Sequence, residues 1–188
     1  MSDRASTPWA SLRCLAWIGI GSNRGNALLT CRRAIALLRG HPHIRLVVCS
    51  PLYRTEPVGP VRQPWFVNGV LGVESELGPQ ALLRLLHRLE HHFGRNRRRE
   101  KPWGPRRLDL DLLLYSQRVV HHSTLHLPHP RLHLRRFVLR PLADVAPTLR
   151  HPLFGKTVDT MLQEVDDTGR VEPCSEQATT FIQKAVTT

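Results

Sequence analysis

Apolar and polar positions along the chain change period several times, and each change marks an element. Residues 15–20, LAWIGI, form a short apolar run stopped by Gly21-Ser22-Asn23, which predicts a buried strand. From Asn26 the apolar residues of ALLTCRRAIALLR recur at helical spacing, with Asn26 as cap and Gly40 as stop. Residues 44–53, IRLVVCSPLY, predict a strand, TEPVGPVRQP a loop, and 65–76, WFVNGVLGVESE, another strand. Pro79 opens a second helix, QALLRLLHRLEHHF, that stops at Gly94. A basic loop over 95–107 then leads into a strand over 108–115. The order β-α-β-β-α-β predicts an α+β, ferredoxin-like fold, an antiparallel sheet with both helices on one face. A C-terminal extension follows: a short strand near Val119, a loop rich in His and Pro, and helices over 137–142 and 158–165. Residues 1–13 read as a flexible arm, 14–165 as the domain, and 166–188, without a periodic apolar face, as a flexible tail.

The strand in WGPRRLDLDLLL, residues 103–114, carries the chemistry. Side chains alternate along a strand, so Asp109 and Asp111 share one face while Leu108, Leu110 and Leu112 share the other. Two like charges side by side are costly, and something positive should cover them. One solution is Mg²⁺, which binds one or two carboxylates and completes its shell with water and phosphate oxygens. The other is a pair of structural ion pairs, with Arg106 or Arg107 as partner. The arginine-rich stretch Arg95-Asn-Arg-Arg-Arg-Glu-Lys101 just before the acid pair favours a phosphorylated ligand, because arginine grips phosphate with two parallel bonds. The glycine turn in GIGSNRGN does not match G-x-G-x-x-G, there is no Walker sequence, and H-E-x-x-H is absent. A tight turn explains Gly19 and Gly21.

Composition adds charge to this picture. The 188 residues carry 27 Lys+Arg against 15 Asp+Glu, a formal charge of +12, which suits an anionic partner. Only Lys101, Lys156 and Lys184 are lysines, so an arginine bias accounts for much of the surplus. No apolar run is long enough for a membrane span, and no signal peptide precedes the first strand. Cys14, Cys31, Cys49 and Cys174 are scattered, without C-x-x-C, as free thiols of a cytoplasmic protein would be.

Several segments in one order resemble the 6-hydroxymethyl-7,8-dihydropterin pyrophosphokinases of folate synthesis. They are IGIGSN at 18–23, YRTEPVGP at 53–60, QPWFVN at 63–68, LHRLEHHFGR at 86–95, WGPRRLDLDLLLY at 103–115, LPHPRL at 127–132 and RFVLRPLADVAP at 136–147. The resemblance covers roughly residues 15–165 and implies transfer of pyrophosphate from ATP to a pterin alcohol. It implies that Asp109 and Asp111 hold two Mg²⁺ ions and that Arg95 and Arg106 join them in catalysis. ATP would be bound by Glu90, Arg97, Arg98, Trp103, Leu112 and His129. Arg135 is placed with the nucleotide set and also along the pterin side. Thr55, Val58, Phe66, Asn68 and Phe137 would hold the pterin, with the two phenylalanines at its faces and the Asn68 amide at its edge. The loop bearing Trp103 would close over ATP. The chain departs from the family pattern at Pro102, His87 and Thr124. Partners are then small molecules, with no nucleic acid or membrane and a monomeric enzyme. The rival is an RNA-recognition module, which shares the β-α-β-β-α-β order but needs an aromatic RNP1 strand where this chain has WFVNGVLGVE.

Overall fold

The chain folds in the order β1 (Cys14–Ser22), α1 (Ala27–Arg39), β2 (Ile44–Cys49), β3 (Tyr53–Thr55), β4 (Phe66–Ser75), α2 (Pro79–His92), β5 (Asp109–Tyr115), β6 (Val120–His122), β7 (Leu125–Leu127), α3 (Arg136–Val145), α4 (Val158–Glu164) and β8 (Val171–Pro173), with a 3-10 turn at Leu132–Leu134. These elements come from a computed structural model that describes residues 13–95 and 104–174. The main sheet runs β5-β1-β4-β3-β8, with β2 also on β4, and β6 and β7 form a separate hairpin. Every pairing is antiparallel.

The helices form where the pattern puts them. The Asn26 side chain accepts the Leu29 N–H at 3.0 Å, and α1 buries Cys31, Ala34, Ile35 and Leu38, a stripe with helical spacing. Pro79 begins α2, and Gly94 beyond its end adopts a φ of 83°, the left-handed region open to glycine. Both helices cover one face of the sheet, where Ile18, Ile20, Leu108, Leu110 and Leu112 join their buried residues. The other face, with Trp17, Val70, Leu113 and Leu114, is covered by α3 and α4 through Val138, Leu139, Leu142, Val158 and Met161.

Four readings of the sequence are corrected. The single strand expected over 44–53 is two, β2 and β3, because Pro51 lacks an N–H. Ser50 replaces the ladder there: its N–H donates to the Val70 carbonyl at 2.9 Å and its Oγ accepts the Val70 N–H at 2.9 Å. The region near Val119 is a hairpin whose second strand, β7, falls in the stretch read as loop. The helix expected over 137–142 extends to Arg136–Val145. Within the expected tail, β8 pairs with β3, and Cys174 after it is buried. Residues 1–12 and 175–188, the rest of the expected arm and tail, lie outside the described residues.

Candidate active site

The alternation of β5 holds: Asp109 and Asp111 are partly exposed while Leu108, Leu110 and Leu112 are buried. Burying each leucine stabilises the fold by about 1.5–3 kcal/mol. Two carboxylates about 7 Å apart, the i,i+2 spacing of a strand, repel by only about 2–3 kcal/mol at an effective dielectric constant near 20. The strand is therefore anchored by its apolar face, and its acidic face is available for charge pairing.

Three arginines and a histidine border that face. Arg95 and Arg106 both pair with Asp109, and Arg95 also pairs with Glu90. Arg135 Nη1 lies 3.6 Å and His129 Nε2 4.0 Å from Asp111 Oδ2. Burial works against ionisation of Asp109, but the Arg95 and Arg106 guanidiniums outweigh it and hold the carboxyl below its ordinary value. Asp111 goes the other way, raised by burial and then by the Asp109 charge. Burial also lowers His129, leaving a neutral imidazole beside the acid pair.

Asp109 and Asp111 line a cavity of about 250 Å³ together with Gly19, Gly21, Arg106 and Arg135. Thr55, Val58, Phe66, Asn68 and Phe137 line the same cavity, so the expected pterin residues share one cleft with the acid pair, Arg106 and Arg135, whereas Arg95 and His129 are not among its lining residues. The register explains how. Asn68 lies opposite Gly21 on β1 and opposite Tyr53 on β3, and Phe66 lies opposite Thr55. Asn68 Nδ2 donates to Thr55 Oγ1 at 2.6 Å. A Cβ on Gly21 would meet Asn68 Oδ1 at 2.5 Å. Gly21 thus lies inside β1 rather than in a turn, and it is glycine to admit that amide. The Arg135 guanidinium lies 5.4 Å from the Phe137 ring centre, and Phe66 lines the same cavity.

Two more residues expected at the nucleotide do not line the cavity. Glu90 is 1% exposed, accepts the Leu110 N–H at 2.8 Å and holds Arg95, so it stands behind Arg95 rather than in the cavity. The Leu112 side chain is buried in the helix-covered core, on the face opposite Asp111. Arg107, the other candidate partner of the acid pair, makes none of the ion pairs on Asp109 or Asp111. Arg97, Arg98 and Trp103, and with them the loop expected to close, lie outside the described residues.

Asn23, Glu56, Gln63 and Arg131 were not singled out by the sequence. Glu56, Gln63 and Arg131 line the cavity. Asn23 N–H donates to the Arg106 carbonyl at 3.0 Å, and Asn23 Oδ1 accepts the Arg106 N–H at 2.7 Å. Its Nδ2 donates to Gln63 Oε1 and the Pro64 carbonyl, both at 3.0 Å. One buried amide thus ties the segment bearing Arg106 to the loop leading to Phe66. The signal for it is an Asn directly after a strand that faces the acid pair.

Oxygen donors from two carboxylates suit Mg²⁺, which needs no more from a protein when phosphates complete its shell. Among the described residues no group of three or more His, Cys, Asp or Glu could hold a metal alone. The donor set therefore fits an ion that arrives with a nucleotide.

A sequence model described as 7,8-dihydro-6-hydroxymethylpterin-pyrophosphokinase matches residues 17–147, the span that contains every residue lining this cleft. The chain belongs to that pyrophosphokinase family. A relative from Synechocystis, named 2-amino-4-hydroxy-6-hydroxymethyldihydropteridine pyrophosphokinase, is 40% identical over 81% of this chain and 77% of its own length. A relative of the same name from Methylorubrum extorquens is 40% identical over 84% of this chain and 98% of its own length. The fold is shared with the wild-type HPPK-DHPS of Plasmodium falciparum at a TM-score of 0.64 and 14% identity, over 81% of this chain. The chain spans 44% of that longer protein.

Proposed function

We propose that this pyrophosphokinase moves the β,γ-pyrophosphoryl group of ATP to the hydroxymethyl oxygen of 6-hydroxymethyl-7,8-dihydropterin, giving the pterin diphosphate and AMP in folate synthesis. The observation that carries the reading is one cleft lined by an acid pair, an amide and two phenylalanines. Phe66 and Phe137 offer ring faces to a flat heterocycle. Asn68 Oδ1 and the second Nδ2 hydrogen are offered to the pterin edge, since the bond to Thr55 uses only one of the two N–H donors. Arg95 and Arg106, gathered at Asp109, meet the triphosphate, with Arg97, Arg98 and Trp103 as further ligands of the nucleotide. Asp109 and Asp111 would hold two Mg²⁺ ions together with phosphate oxygens, and the ions would supply charge neutralisation at the transferring group. Glu90 acts through Arg95, and His129 and Arg135 act beside Asp111. Leu112 offers the nucleotide its main chain. The hydroxymethyl oxygen attacks the β-phosphorus in line and AMP leaves; the rate comes from positioning and charge stabilisation. The strand order β5-β1-β4 followed by β2 and β3 supports the ferredoxin-like reading.

The RNA-binding alternative finds no support. An RNA-recognition module stacks bases on an open sheet face. Here both faces are covered, and Val70 and Leu113 beneath α3 and α4 are fully buried. Among the described residues no helix is long and apolar enough to cross a membrane. A monomer at work in the cytoplasm goes with the proposed activity.

The test is substitution of the acid pair. Asp109→Ala and Asp111→Ala should each lower pterin-dependent ATP turnover by about a hundredfold or more, the scale of several kcal/mol of lost charge stabilisation. Near-normal turnover by Asp111→Ala at millimolar Mg²⁺ would contradict the metal role.

A further inference from the structure

Residues 167–174 lie beyond the matched span 17–147, yet they return to the pterin end of the cleft. β8 pairs with β3, with Arg54 opposite Glu172 and Thr55 opposite Val171. The Cys174 N–H donates to the Leu52 carbonyl at 2.8 Å. Just before β8, Arg170 grips Glu56 three times. Its carbonyl accepts the Glu56 N–H at 3.1 Å, its N–H donates to Glu56 Oε2 at 3.0 Å, and its Nε donates to Glu56 Oε1 at 2.8 Å. The same guanidinium lies 4.8 Å from the ring centre of Trp65, the neighbour of Phe66. Asp167 reaches the opposite wall, where its Oδ2 accepts the Arg136 N–H at 2.9 Å, next to Phe137. The Gly169 N–H donates to Asp167 Oδ1 at 3.0 Å, holding this carboxylate in place.

We propose that residues 167–174 form a strap that fixes both walls of the pterin subsite, with Arg170 and Asp167 as positioning residues. The inference rests on the pterin reading of the cleft. One wall is the chain from Thr55 to Phe66, which includes a loop with Pro57, Gly59, Pro60 and Pro64 and few regular bonds of its own. The other is the start of α3. A ligand that must order such a loop loses affinity to the entropy of ordering, and a wall held beforehand avoids that loss. The Arg170 side chain is 65% exposed, and a lone ion pair there would count for little. What distinguishes it is convergence: main-chain pairing, a Glu56 carboxylate held by both the Arg170 N–H and its Nε, and a ring contact all act on residues at or beside the cavity. The simpler role, an edge strand that only stabilises the sheet, makes a different prediction.

Arg170→Ala and Asp167→Ala separate the two roles. Each should weaken binding of a pterin analogue, measured calorimetrically in the presence of a nonhydrolysable Mg-nucleotide, by about three- to tenfold, and the double variant by more. Mg-nucleotide affinity should stay within about twofold, because no strap residue contacts the acid pair. Asp167→Asn keeps an acceptor for Arg136 and should restore most of the pterin affinity. Amide exchange without ligand should quicken in the double variant over residues 55–58 and 136–138. Unchanged pterin affinity and exchange in the double variant would overturn the strap. So would equal losses for pterin and nucleotide together with a lower melting temperature. If the unsubstituted protein binds no pterin, the reading of the cleft fails, and amide exchange still decides whether the segment holds the two walls.

Discussion

Asp109 and Asp111 stand two residues apart and titrate in opposite directions, and this asymmetry has consequences for stability. Asp109 titrates below its ordinary value of 3.8, so the stability it contributes is full above that value and is lost as the pH falls through the folded-state value. Asp111 titrates above 3.8, so its contribution is full below that value and is lost as the pH rises through the folded-state value. At neutral pH and without ligand, Asp109→Asn should therefore destabilise the protein by about 1–3 kcal/mol, since Arg95 and Arg106 lose a charged partner. Asp111→Asn should leave stability unchanged or raise it while removing activity. Denaturant titration of both variants checks the pair, and a large loss of stability in Asp111→Asn would contradict the assignment. At the pterin end, Asn68→Leu should weaken pterin binding more than Phe66→Leu, by about 1–3 kcal/mol for each ligand group left unpaired, with little change for ATP. Equal loss for both ligands would make Asn68 structural.

At the scale of elements, the parts legible in the sequence are those set by local chemistry. The period-two alternation of β5 gave the acid pair its face, and Asn26 and Gly40 bounded α1, because a strand face and a helix cap depend on neighbours in sequence. What depends on distant backbone was not legible. Gly21 read as a turn glycine, although it serves β4, where its missing Cβ admits Asn68. Gly21→Ala should accordingly weaken pterin binding by on the order of 1–3 kcal/mol by displacing that amide, checked by titration against ATP as the control. The bonds of Asn23 were not legible either, because all four join segments 40 to 83 residues away. The break at Ser50-Pro51 was readable in principle from the missing N–H, whereas three-residue strands such as β7 and β8 are too short to show a period.

The whole molecule answers the question its charge raises. A formal charge of +12 fits nucleic acid as well as nucleotide, and the number alone does not choose. The cleft chooses, since an acid pair repels a bare phosphate chain unless metal accompanies it, and both faces of the sheet are buried. Ligands that bind only the folded state raise its stability, by about 2.7 kcal/mol at a hundredfold excess over Kd. A Mg-nucleotide with a pterin analogue should therefore raise the melting temperature, and single-stranded RNA at physiological salt should not. The central claim is transfer of two phosphoryl groups at once, and product analysis tests it most directly. With Mg-ATP and 6-hydroxymethyl-7,8-dihydropterin, the protein should release AMP in equal amount with pterin diphosphate, and no AMP when the pterin is left out. ADP with a pterin monophosphate, or AMP formed without pterin, would contradict it.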